Sequence, residues 1–207
     1  MRRKKTGYIL LGLLVVTGLA GTVSGAISGK ERKYAVNLMK SARADVLKNV
    51  KELTAAQLRF KVPGENRSIR ECIYHIAAAE NEWWHFVENG LKANANPEKR
   101  SEIKLSDEEV VSMMEGRTFK GEAIELTCQK KNTYKTLAAA VDDFKQKSTA
   151  HLDYIKLTTE NLRDHVVETP FGWVDCYQLY LMIAAHANRH VQEIAEMKLD
   201  ATYPKTK

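Results

Sequence analysis

Apolar side chains recur at helical spacing in four long stretches of this chain, and alternating strand-like runs are nearly absent. That period constrains the fold more than any other feature, because each apolar stripe must be buried against another helix. The first stretch runs from about 31 to 53, with Tyr34, Leu38, Val46, Val50 and Leu53 on or near one face, and Lys61-Val-Pro-Gly64 then breaks the chain. Ser68 with Glu71 makes a capping box for a second helix, which Ile69, Ile73, Ile76, Trp83 and Val87 carry to about Gly90, a residue suited to a helix stop. A polar stretch from 91 to 132 follows, broken by a short helix that Ser106 caps and that bears Val110, Val111, Met113 and Met114. A connection that long marks a crossover along a bundle. The third stretch, 133 to 157, shows Leu137, Val141, Phe144, Leu152 and Ile155, and Thr169-Pro-Phe-Gly-Trp173 then turns the chain. The fourth, 174 to 199, is the most apolar, with Tyr177, Leu179, Tyr180, Met182, Ile183, Ile194 and Met197. The pattern predicts an all-α four-helix bundle with a long crossover between helices 2 and 3.

At 207 residues the chain can bury one good core, and residues 29–207 are expected to form a single domain. Residues 1–28 are expected to be a leader. The basic cluster Arg2 to Lys5 precedes Tyr8-Ile-Leu-Leu-Gly-Leu-Leu-Val-Val16 and then small residues, the order of a secretory signal peptide cleaved near Gly25 or Ala26. The competing reading is an uncleaved N-terminal membrane anchor, since no charge falls between Gly7 and Gly29. Either reading places the body outside the cytoplasm, periplasmic, secreted or anchored. Without the four leader cations, 28 basic residues face 26 acidic ones, so the net charge of +6 falls to +2 and the body lacks a nucleic-acid footprint.

Cys72, Cys128 and Cys176 show no CxxC spacing, which argues against a thiolate zinc site, and a Cys72–Cys176 disulfide is not expected because the two fall toward opposite ends of the bundle.

His186 and His190 are separated by four residues, which puts both rings on one helix face. Leu179, Met182, Ile183 and Met197 fall within about 60 degrees of His186 on a helical wheel, so the pair points into the core. For such a pair alone the plainer reading is two core histidines satisfied by neighbours. A third histidine at the same depth shifts the balance toward a metal. His75 lies about 10 Å from the start of the second helix, and His190 about 12 Å from the end of the fourth. If those helices are antiparallel neighbours, His75, His186 and His190 meet at one level. Three imidazoles without a fourth protein ligand leave open positions, as in catalytic rather than structural sites, with zinc the first expectation and nickel or iron the alternatives. Glu193 shares that face and either hydrogen-bonds a ligand or adds to the coordination, or reaches solvent at the rim. His85, His151 and His165 are expected at the surface or rim, and Trp83 and Trp84 in the core and at its edge.

Ser68-Ile-Arg-Glu-Cys-Ile-Tyr-His75-Ile-Ala-Ala-Ala-Glu80 resembles the second-helix signature of DinB-like proteins, and Ala185-His186-Ala-Asn-Arg-His190 is similar to the HxxRH of their fourth helix. Leu58-Arg-Phe-Lys61 and Thr169-Pro-Phe-Gly-Trp173 sit where that family places its turns, so the resemblance spans about 31 to 200. It implies a bundle in up-down-down-up order, a metal held by His75, His186 and His190, and activities that include metal-dependent thiol transfer. The chain departs from the family pattern in carrying Glu193 where glutamine is frequent, with Gln192 shifted by one, and in its leader. The expectation is a metal-dependent transferase, of the thiol-transferase type, or a hydrolase acting on a small molecule. The alternative is a metal- or ligand-binding module without a reaction. An apolar helix face leaves room for a homodimer.

Overall fold

The computed structural model describes residues 26–64, 67–116 and 134–205. Nearly all of the expected leader, Cys128 and the last part of the expected crossover lie outside the described residues. The long helices are α1 (Gly29–Val50), α3 (Ile69–Lys92), α5 (Leu137–Leu157) and α6 (Cys176–Leu199), with short α2 (Ala55–Arg59) between the first two and α4 (Asp107–Glu115) in the crossover. Among the described residues, no helix is long and apolar enough to cross a membrane.

Local sequence sets most of the helix starts. Ser28 with Glu31, Thr54 with Gln57, Ser68 with Glu71 and Ser106 with Glu109 all form reciprocal capping boxes, satisfying two backbone donors each. Thr136 and Asp175 cap α5 and α6 with a single side-chain acceptor.

The helices run up, down, down and up. Arg32, in the first turn of α1, donates to the carbonyls of Ile155 and Thr158 at the end of α5, and Lys198 at the end of α6 reaches Asn49 at the end of α1. Helix α1 is therefore antiparallel to α5 and parallel to α6. Tyr74 near the start of α3 meets Tyr134 just before α5, while Gly90 near its end meets Cys176 at the start of α6. Helix α3 is thus parallel to α5 and antiparallel to α6. Helix α6 packs on α1, α3 and α4, and every residue from 174 to 187 is buried. A helix enclosed on three sides is apolar all round, which is why this stretch has the richest apolar content in the chain. Arg163 secures the start of α6, bonding Glu31 of α1, Asp107 of α4 and the α6 cap Asp175.

Several expectations need correction. On α1 the buried face is Ala35, Met39, Ala42 and Val46, so of the residues expected there only Val46 is fully buried. Small alanines let the backbone approach its neighbours, and Tyr34, Leu38 and Val50 flank that seam half-buried. The helix ends at Val50 rather than Leu53, with Glu52 in the left-handed region at φ 59°. Helix α3 runs past Gly90 to Lys92. Gly90 is not a stop but a point of close approach, since a Cβ there would lie 2.6 Å from Cys176 Sγ and 3.2 Å from Val167 Cγ1. Helix α5 starts at Leu137 rather than 133. Residues 166–175 form a two-stranded antiparallel hairpin, β1 (Val166–Thr169) and β2 (Gly172–Asp175), so the expected turn is its tip and α6 begins at Cys176 rather than Val174. Cys72 and Cys176 are both buried, and no disulfide joins them.

Candidate metal centre

The antiparallel packing of α3 on α6 brings the three predicted histidines together. Ring centroids are 5.1 Å apart for His75 and His186, 4.6 Å for His75 and His190, and 4.6 Å for His186 and His190. One nitrogen of each lies within 4.8 Å of the others. His186 and His190 are buried, whereas His75 keeps part of its ring exposed. Solvent therefore approaches the cluster along the α3 side.

Burial sets the charge state of this cluster. His75 is pulled down to about 3, first by loss of water and then by repulsion from His190 and Arg67. His186 lies well below its ordinary value for the same first reason, with His190 and His75 adding repulsion. Both rings are neutral at neutral pH and offer a lone pair.

Glu193 orients the third ring. Its Oε2 stands 2.7 Å from His190 Nδ1, while its Oε1 is 3.6 Å from Arg189 Nε. A carboxylate only accepts, so Nδ1 carries the proton and the Nε2 lone pair faces His186. Glu193 is half-buried and in hydrogen-bond contact with a candidate ligand ring. The two Nε2 atoms are 3.2 Å apart. That contact can be bridged by a single proton or by a cation: two nitrogens each about 2.0–2.1 Å from a tetrahedral ion stand roughly 3.3 Å apart. Neutral, inward-facing imidazoles at that separation fit a divalent metal.

Trp83 is buried as expected, with its ring 6.2 Å from His186 and near Phe86 and Phe171. His85 is exposed and bonds Asn81 and Glu88 on its own helix, and His165 is half-buried with Nδ1 donating to the Gly90 carbonyl.

His151 contradicts its expected place at the rim. It is 4% exposed, 2.8 Å from Glu80 Oε1, and stacked on Trp84 at 4.4 Å. Burial raises the Glu80 carboxyl, and His151 opposes that rise. The signal was present: His151 follows Phe144 and Ser148 and precedes Ile155 on the buried stripe of α5, and Glu80 lies between Ile76 and Trp83 on that of α3.

No curated protein matches this chain in sequence. Among solved structures, YfiT from Bacillus subtilis, described as "a probable metal-dependent hydrolase with an unusual four-helix bundle topology", superposes with a TM-score of 0.58 at 13% identity, over 84% of this chain and 89% of YfiT. At that identity the likeness establishes the fold. The sequence profile of the DinB superfamily matches residues 38–194, well over half of the chain, and the protein belongs to that superfamily.

Proposed function

We propose that the protein holds a divalent cation on His75, His186 and His190 and uses it as a hydrolase or a thiol-type transferase on a small molecule. The observation that carries this reading is the convergence of three nitrogens within 4.8 Å of one another, with His75 more than a hundred residues before His186 and His190 in sequence. Among the described residues, no fourth donor completes that group. A three-nitrogen set leaves a coordination position for water or substrate. When bound there, the ion would lower the pKa of a water or thiol and supply a nucleophile at neutral pH. Glu193 keeps His190 in its metal-ready tautomer, and the partly exposed face of His75 admits the substrate. All-nitrogen donors suit zinc first, with nickel or iron as alternatives. The description of YfiT as "a probable metal-dependent hydrolase" supports the hydrolytic side of the proposal.

We further propose that the body works outside the cytoplasm, on the order of basic, apolar and small residues before Ser28. Elemental analysis of protein isolated without added metal tests the centre: near-stoichiometric metal is expected, lost in the His75→Ala, His190→Ala double variant. Equal metal in parent and variant overturns the site. Stoichiometric metal with no turnover on esters, amides or thiol acceptors leaves a metal-binding module instead. Cell fractionation with intact-mass measurement tests export, and a cytoplasmic full-length product refutes it.

A further inference from the structure

We propose that Cys72, His190 and Glu193 form a second ligand set, for a thiophilic divalent cation such as cadmium or zinc, one helical step from the histidine triad and sharing His190 with it. The proposal rests on the metal reading of the triad. Helix α3 supplies Cys72 three residues before His75, and α6 supplies Glu193 three residues after His190. Because the two helices are antiparallel, both displacements run the same way along the bundle, by about 4.5 Å each. The donors thus form a ladder: His75 stands level with His186 and His190, and Cys72 with His190 and Glu193. The sulfur, a ring nitrogen and a carboxylate oxygen of the second set lie within 4.8 Å of one another, the same span that contains the triad. Cys72 is a fully buried thiol, and Glu193 already touches His190.

Charge separates the two positions. Three neutral imidazoles leave the full double charge of an ion uncompensated in a mostly buried place, whereas a thiolate and a carboxylate neutralise it. Soft ions gain further from sulfur. Binding at the second position replaces the thiol proton with the cation, Cys–SH + M²⁺ → Cys–S–M⁺ + H⁺, with that proton leaving to solvent, while neutral His190 changes tautomer, its proton passing from Nδ1 to Nε2 so that Nδ1 beside Glu193 offers its lone pair. Since His190 serves both sets, one ion occupies one position at a time, and the metal supplied selects between an all-nitrogen site and a sulfur-containing one.

Cobalt(II) and cadmium-113 spectra of the full chain test this. The cobalt-loaded protein is expected to show visible ligand-field bands together with a near-ultraviolet sulfur-to-cobalt charge-transfer band. Cys72→Ser should lose the charge-transfer band and keep the ligand-field bands, while a Cys128→Ser, Cys176→Ser double variant keeps both. Should a variant fail to fold, the unmodified chain still decides the matter, because a cadmium-113 to proton correlation is expected to reach the β-protons of Cys72. Ligand-field bands without charge transfer, or no cadmium correlation to Cys72, overturn this proposal and leave the triad standing. No cobalt bound at all overturns both.

Discussion

Replacing His75 with asparagine should flatten the pH dependence of stability, by an amount that follows from its burial. In the folded protein this ring takes a proton only near pH 3, against 6.5 for an unhindered histidine. A base whose folded pKa is lowered exacts no cost above about 6.5. As pH falls below that value the unfolded chain takes up a proton that the folded chain refuses, and the loss grows until about 3. Between about pH 7 and pH 5 the unfolded state gains about three quarters of a proton at this position, which destabilises the fold by about 2 kcal/mol. His186 is shifted in the same direction, so the parent should lose more than one ring accounts for, and the single substitution isolates the share of His75. Urea denaturation of parent and His75→Asn in excess chelator at both pH values reads the difference. The parent should lose about 2 kcal/mol more than the variant on acidification. Equal losses would show that His75 is not held neutral by its surroundings, and the case for an imidazole poised as a ligand would fall with it.

Three further substitutions probe the neighbouring structure. Glu193→Gln removes the charge behind His190, and zinc affinity measured against a chromophoric chelator should fall roughly 10–100-fold; unchanged affinity would return Glu193 to a rim role. Gly90→Ala drives a Cβ into Cys176 Sγ and should cost about 1–3 kcal/mol in thermal or urea unfolding. Adding Cys176→Ala should restore part of that loss, and an unaltered Tm for Gly90→Ala would refute the close-approach account. Glu80→Leu strands His151 in the core and should cost about 3 kcal/mol, most of it regained when His151→Phe is added. Additive losses in that double-mutant cycle would mean the 2.8 Å contact carries no coupling.

What was legible in the sequence was periodic. The stripe Ile69, Ile73, Ile76, Trp83 and Val87 is buried as read, and the i,i+4 spacing of His186 and His190 together with the depth of His75 located the cluster. What escaped depended on partners that spacing does not reveal. The seam of α1 runs through Ala35 and Ala42, where smallness rather than apolar bulk is selected by close packing, so the larger Tyr34 and Leu38 misled. Gly90 looks like a helix terminator until Cys176, far away in sequence, is placed against it. For His151 the buried position was legible from the stripe of α5, and only its partner, Glu80 on another helix, was not.

The position of the triad along α6 joins two requirements that usually conflict. Ligands must be held rigidly, which burial provides, yet a working metal needs access, which burial denies. Helix α6 is sealed from 174 to 187, and His186 sits at the end of that stretch. Beyond it, exposed and half-exposed residues return at 188, 189 and 191–193, and His190 and Glu193 lie in this transition. Its first three turns, locked by the Arg163 cluster and by packing against α1, α3 and α4, fix the helix axis and hence the ligand directions. Its last turns open toward the half-exposed His75. A triad placed two turns earlier would be immobile and unreachable, and one placed two turns later would be reachable but loosely held.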